Sequence, residues 1–283
     1  MKRRKVWEGL GLGLLGLAAG GVMIVLGGVI GFLILKGGSA LSWEFLTSFP
    51  RRGMSEGGIF PALVGTGYLV LGTVILTVPL GVGAAVYLSE YARGGRWIRI
   101  VRVGINSLAG VPSIVFGLFG LAFFVKAVGI GVSVLSGALT LSLLVLPVMI
   151  RAAEEALRTV PEEFREGAYA LGASRWQVTR SIVLPVALPG IITGAILAVG
   201  RAAGETAPIM FTAAYYAPRL PRSPLDEVMA LPYHLYVMAT ESTFFWKTRD
   251  LQYGTALVLL LLVLVFYLTA AVIRARMRRR KRW

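Results

Sequence analysis

Residues 166–185 read EGAYALGASRWQVTRSIVLP, a polar, helix-forming insert between apolar segments long enough to cross a bilayer. Such an insert serves a membrane scaffold as a docking surface for something outside it. Just upstream, Pro161 suits the first turn of a helix, where its missing N–H costs nothing, and Glu162 and Glu163 suit the positive helix start. Phe164, Ala168 and Leu171 then fall on one face, and Gly172 is the natural stop. Ser174, with Gln177 three residues on, makes a capping box for a second helix that runs until Pro185 enters the membrane. The spacing predicts helix, glycine turn, helix: a short lever standing proud of the bilayer. The competing reading is an ordinary loop folded back on the membrane.

Apolar residues make up 56% of the 283-residue chain and charged residues only 15%, more apolar surface than a soluble domain can hide. Six segments have roughly the 17–25 apolar residues that cross a hydrocarbon core: 10–35, 60–88, 103–128, 132–150, 186–208 and 254–273. The third and fourth are so close, around Gly129 and Gly131, that they predict a tight hairpin. The expected organisation is an N-terminal unit, 1–59, and a five-helix core, 60–283, that carries the inserted loop 151–185 and a basic tail. Small residues recur at four-residue spacing, as at Gly9 and Gly13, Gly16 and Gly20, Gly27 and Gly31, Gly190 and Gly194, and Gly200 and Gly204. Such faces let helices approach closely in lipid. Pro79, Pro112 and Pro147 predict kinks. In the segment 211–253, residues 226–240 predict a short amphipathic helix. Tyr215, Tyr216, Tyr233, Tyr236, Phe244, Phe245, Trp246 and Tyr253 suit an interfacial aromatic belt.

The net charge of +15 is placed as membrane topology requires. Lys2 to Lys5, the arginines between 93 and 102, those between 151 and 180 and the tail from Arg274 all fall on one side of a six-span chain, and far fewer basic residues fall on the other. The positive-inside rule puts both termini and the lever in the cytoplasm. The tail reads as an anchor on anionic headgroups rather than a nucleic-acid arm. The first apolar run is too long for a signal peptide and predicts a retained anchor. The absence of cysteine excludes disulfides, thiolate metal sites and cysteine nucleophiles, and a single histidine, His234, argues against histidine-rich metal centres and histidine triads. No lysine follows a glycine, so the sequence has no phosphate-cradling nucleotide loop.

In the fifth span, GRAAGETAP (200–208) puts Arg201 and Glu205 four residues apart on one helical face. An arginine at the bilayer centre costs roughly 2.5–3.5 kcal/mol on insertion scales, so such residues face a cavity or a partner. Counting from Pro185 at about 1.5 Å per residue puts Arg201 roughly 24 Å across, nearer the outer surface than the middle. Two roles stay open. The pair can be a self-satisfied lock between helices, or Arg201 can offer its planar fork to a passing tetrahedral oxyanion. Glu205 would then accept a hydrogen bond from hydrogen phosphate and repel sulfate, which carries no proton, or else tether Arg201 in one conformation.

The insert resembles the EAA loop of ABC importer permeases in its Glu166, Ala168 and Gly172 and its Ile182, Leu184 and Pro185 ending; Gly167 stands where alanine is usual. With YLSEYA (87–92), GVPSIVFGLF (110–119) and RAAGETAP (201–208), the chain is similar to the PstA-type permeases of phosphate importers. The resemblance implies an all-α, six-span type I importer permease in a prokaryotic cell membrane, with both termini cytoplasmic. It implies a heterodimer with a PstC-type sister permease, two copies of a cytoplasmic ATPase that bind ATP and Mg, and an extracytoplasmic phosphate-binding protein. Arg201, Glu205 and Thr206 would line the path; Glu166, Ala168, Gly172, Phe164 and Leu171 would engage the ATPase; no cofactor belongs to this chain. Rival readings are a sulfate, molybdate or phosphonate permease, a passive anion channel, and an intramembrane enzyme, which would need more ionisable groups converging from several spans.

Overall fold

A computed structural model describes residues 2–92, 94–215, 219–241 and 248–280. The chain opens with one long helix, α1 (Lys2–Gly37), and a short α2 (Trp43–Thr47), capped by the Ser42 hydroxyl, which accepts from the Phe45 N–H. A two-residue antiparallel ribbon, β1 (Pro50–Arg51) and β2 (Glu56–Gly57), leads to α3 (Phe60–Val86), which a wide turn with an i to i+5 hydrogen bond extends through Tyr87–Tyr91. Then come α4 (Arg96–Leu108), α5 (Ser113–Gly120) and α6 (Val134–Arg158). The lever follows as α7 (Glu162–Ala170) and α8 (Arg175–Val178), then α9 (Leu184–Gly204), α10 (Ala207–Thr212), α11 (Leu231–Thr240) and α12 (Arg249–Arg280).

Among the described residues five helical segments are long and apolar enough to cross a membrane: Gly11–Ala40, Phe60–Tyr91, Val134–Arg158, Arg175–Gly204 and Arg249–Met277. The pair Arg96–Leu108 and Ser113–Ala127, bent by 102°, makes a sixth candidate when the two helices count together as one broken span. The kink expected at Pro112 is thus a full break within the expected span 103–128. Pro112 disfavours helical backbone at Val111 and itself adopts φ −57°, ψ 140°, so the chain breaks there. Helix α4 buries no residue and lays Trp97, Ile100 and Val103 on its surface, the build of a helix lying along a membrane face. The hairpin expected at Gly129 and Gly131 is present, both with positive φ (+77° and +80°), and the Ser133 hydroxyl caps α6. Pro79 and Pro147 lie inside continuous helices.

Helices α3, α6 and α9 pack side by side through small residues. A Cβ at Gly81 would stand 2.6 Å from the Met149 side chain, and at Gly190 and Gly194 it would stand 2.6 and 2.5 Å from the Cβ atoms of Ala156 and Ala152. Gly200 faces the Tyr267 ring of α12. Among the described residues the glycines of α1 from Gly11 to Gly31 meet nothing within 4 Å; the end of α1 leans on α12, where Phe32 meets Tyr253 edge-on at 5.4 Å. The neighbours of Gly9 lie outside the described side chains.

The segment after α10 is no surface loop. Asp226 accepts backbone hydrogen bonds from Arg222 and Ser223, the carbonyls of Pro224 and Asp226 accept from Leu135 and Val134 at the start of α6, and Val228, Met229 and Ala230 run buried through the bundle. The helix expected over 226–240 therefore begins only at Leu231, whose N–H donates to the Thr66 hydroxyl of α3 at 2.9 Å. Tyr233 packs inward, while Tyr215 and Tyr236 are exposed. Tyr216, Phe244, Phe245 and Trp246 of the expected belt lie outside the described residues.

Candidate functional site

At the end of the bundle that carries α7, the largest apolar cluster joins Ala85 and Leu88 of the α3 end, Met149, Ala153 and Leu157 of α6, Ile191 of α9, and Ala168 and Val178 of the lever. The lever is thus seated on the bundle by its own small apolar residues. Its predicted helices and turn are present. Gly172 adopts φ +81°, a left-handed conformation that glycine enters without strain, and Ser174 and Gln177 form the capping box. Pro185 does not end the second helix. A wide turn over Thr179–Val183 carries α8 into α9, so lever and span form one rod, Arg175–Gly204.

The expected docking residues divide between two faces. Glu166, Gly172, Phe164 (39% exposed) and Leu171 (90%) point outward, with Tyr169 and Trp176 also exposed. Ala168 is buried in the chain's own core, and Leu171 leaves its face because α7 ends at Ala170 and the next residue caps it. Beside the lever a cleft of about 760 Å³ is lined by Ser89, Arg102, Arg158, Glu163 and Arg175 among others.

Sequence reasoning counted Arg165 as a loop charge, yet it is buried and its guanidinium is saturated. Nε and Nη2 donate to the two carboxylate oxygens of Glu90 at 3.2 and 3.1 Å. Nη1 donates to the Val160 carbonyl at 2.7 Å and to Glu162 at 3.2 Å, and Nη2 also donates to the Leu157 carbonyl at 3.0 Å. Burial opposes the charged form, but the hydrogen bond and charge of Glu90, aided by Glu162 and Tyr169, raise the Arg165 pKa above its ordinary value. Close by, Arg102 and Arg158 share one oxygen of Glu154, each at 2.8 Å. The one available signal for the Arg165 pair was Glu90, an acidic residue directly after an apolar span.

Arg201, Glu205 and Thr206 come together at a break. Helix α9 ends at Gly204, Glu205 is extended (φ −76°, ψ 131°), and Thr206 precedes α10 without a side-chain capping bond. The expected single helical face is thus corrected, although the pair still forms, Arg201 Nε donating to Glu205 Oε1 at 3.3 Å. Its depth is corrected too. Ala198 and Ala202 pack on Leu144 and Val145, in the middle of α6, and on Phe116 of α5, so Arg201 sits near mid-bundle and not near an outer surface. Counting from Pro185 misjudged the depth because α9 continues a lever that begins outside the apolar layer. The pair is flanked by the other distinctive string, for Gly117 of α5 lies against Ala207 and Pro208, where a Cβ would stand 2.9 Å from the Ala207 carbonyl oxygen. Among the described residues Arg201 has no other hydrogen-bond partner, and its side chain is 39% exposed. Its terminal nitrogens remain available.

Residues 77–283 match the family described as binding-protein-dependent transport system inner membrane component. The chain belongs to that family. This permease is 38% identical to the probable ABC transporter permease protein YqgI of Bacillus subtilis, over 94% of this chain and 95% of the relative. It is 40% identical to the phosphate transport system permease protein PstA 1 of Mycobacterium tuberculosis, over 80% of this chain and 72% of the relative. A chain of a bacterial alginate ABC transporter shares its fold with TM-score 0.67 at 14% identity, covering 95% of this chain and 94% of that one. A chain of the inward-facing MetNI methionine transporter does so with TM-score 0.60 at 18% identity, covering 77% and 96%. The protein is a membrane-embedded permease subunit of an ABC importer.

Proposed function

We propose that this permease is the PstA-type half of a phosphate importer. It pairs with a PstC-type sister permease, receives phosphate from an extracytoplasmic binding protein, and is driven by two copies of a cytoplasmic ATPase that bind ATP and Mg. Both termini and the lever lie in the cytoplasm, as the arginine distribution favours. The permease core is residues 60–283, with 1–59 an N-terminal unit that adds the first helix.

The observation that carries the oxyanion reading is the contrast between two arginines. Arg165 spends all five N–H donors on fixed partners, which is a lock. Among the described residues Arg201 spends one, on Glu205, and keeps its planar end open in mid-bundle, where an unused guanidinium is costly unless an anion passes. Glu205 holds the fork in place at rest. When hydrogen phosphate arrives, the carboxylate accepts a hydrogen bond from its hydroxyl, a contact that sulfate cannot make. Thr206 adds a hydroxyl at the same break. On the lever, Glu166, Phe164, Leu171 and Gly172 are the surface offered to the ATPase, and Ala168 seats that surface from behind.

Labelled-phosphate uptake in permease-deficient cells that express the chain with its partner subunits, with and without excess sulfate, tests the reading. Each charge-assisted hydrogen bond is worth about 1.5–3 kcal/mol, so Arg201→Ala, which loses the two-bond fork, lowers uptake by at least about 100-fold while the complex stays assembled. Normal uptake by Arg201→Ala, or uptake abolished by sulfate, refutes it.

A further inference from the structure

One side chain of helix α7, Arg165, ties it to distant elements by hydrogen bonds. The helix is nine residues long, its buried residues are Arg165 and Ala168, and it is joined to its neighbours by the Thr159–Pro161 turn and the left-handed Gly172. Ala168 contributes a single methyl group. Arg165 instead reaches three elements at once: the Glu90 carboxylate on the wide turn after α3, the Leu157 and Val160 carbonyls at the end of α6, and Glu162 in the first turn of α7 itself. The Glu90 and Arg165 side chains are only 8% and 10% exposed, so the pair is shielded from the screening that weakens surface pairs. Among the described residues, the outward-facing Glu166 and Leu171 make no side-chain hydrogen bond to this pair.

The lever is therefore attached in two ways. Its α8 end continues into α9, whereas its α7 end meets α3, 75 residues away in sequence, through the Arg165–Glu90 clamp. We infer that Arg165 and Glu90 are the positioning pair through which a push on α7 moves α3 together with α6. This rests on the reading of the lever as the ATPase docking element. Without the clamp, α7 still presents its outer face, but it swings about the Pro161 and Gly172 turns and the push reaches α9 alone. Hydrolysis then runs without moving the path.

The chain contains no cysteine, which permits a direct test in the full complex with cysteine-free partners. Arg165→Gln and Glu90→Gln are each reconstituted with the sister permease, ATPase and binding protein. Phosphate moved per ATP hydrolysed is measured, with ATPase activity and co-purification read alongside. Each variant is expected to lower the transport-to-hydrolysis ratio at least about 10-fold while co-purification and hydrolysis stay within about 2-fold of the parent, as for loss of a buried charge pair remote from the docking face. In a Glu90→Cys and Arg165→Cys double variant, a thiol-reactive linker about as long as the lost side chains restores the ratio, which a merely chemical role for the charges would not allow. Should Arg165→Gln fail to assemble, Glu90→Gln, which keeps volume and one acceptor oxygen, and the linked pair decide. An unchanged ratio in Glu90→Gln, or no recovery on linking, overturns the inference. Glu166→Lys separates the two levels. If it loses the ATPase while the Gln variants stay coupled, only the clamp fails; if it keeps full co-purification and uptake, the docking reading itself fails.

Discussion

Gly190 and Gly194 of α9 face Ala156 and Ala152 of α6, and the two pairs fix the register of the helices that flank the lever. In Gly194→Ala the new methyl would stand 2.5 Å from the Ala152 methyl, whereas carbon atoms pack best at about 3.5–4.0 Å. The helices must part by about 1 Å, and overpacking of this size costs about 1–3 kcal/mol. Removing the facing methyl with Ala152→Gly relieves the clash but leaves a helix-interior glycine, a penalty of roughly 0.5–1 kcal/mol. With about 1 kcal/mol worth roughly 2–4 °C in a chain of this size, Gly194→Ala lowers the melting temperature by about 4–8 °C and the matched double variant recovers about half. Gly190→Ala is rescued in the same way by Ala156→Gly. The crossed combinations, Gly194→Ala with Ala156→Gly and Gly190→Ala with Ala152→Gly, are not rescued. Combining the two alanines costs less than their sum, since helices already parted have made room for the second methyl. Thermal unfolding of the purified complex in lipid nanodiscs, followed by tryptophan fluorescence, reads all of these. Rescue by the crossed pairs, or equal melting temperatures for matched and crossed pairs, would refute the register.

Two further outcomes follow from single positions. His234 of α11 is buried without a partner for Nδ1, and burial pushes its pKa down to about 4. The unfolded chain takes up this proton near its ordinary value of 6.5, so stability falls as pH drops from 6.5 to 4 and is flat above, with a ceiling of about 3 kcal/mol. Melting curves across that window should lose this slope in His234→Leu, and an unchanged slope would contradict the burial. At Gly172, φ is +81° and nothing crowds a Cβ, so substitution acts through backbone strain alone. Gly172→Asn should therefore loosen the lever less than Gly172→Ala, which costs about 1 kcal/mol, and protease cleavage within 161–185 should rise in that order.

Much of the fold is legible along the chain because its signals are local. The length and apolarity of each segment mark the crossings, Gly129 and Gly131 mark the hairpin, and Ser174 with Gln177 marks the start of α8. Each of these depends on a residue and its near neighbours. The errors arose where a distant contact overrode the local pattern. The helix expected over 226–240 yielded five residues to a buried extended run, because Asp226 and Pro224 are needed to cap α6 and Leu231 to meet Thr66. The third crossing shortened because Pro112 could turn the chain once α4 had a membrane face to lie along. The face expected of Phe164, Ala168 and Leu171 divided because Ala168 found Leu157 and Val178 in the core, while Leu171 was left beyond the helix end.

The sequence by itself determined the class of molecule, the polar lever and the identity of the one arginine inside a span. These are properties of composition and short spacing, and desolvation enforces them wherever the segments pack. Tertiary structure alone decided what surrounds the arginines. Arg165 and Arg201 are the same residue type, and each has a glutamate within four positions. Only folding brings Glu90 across 75 residues to saturate the first, and only the antiparallel packing of α9 on α6 carries the second to mid-bundle, where Glu205 is its one hydrogen-bond partner among the described residues. A guanidinium acts by the acceptors that surround it, and for a buried side chain those acceptors come from other helices.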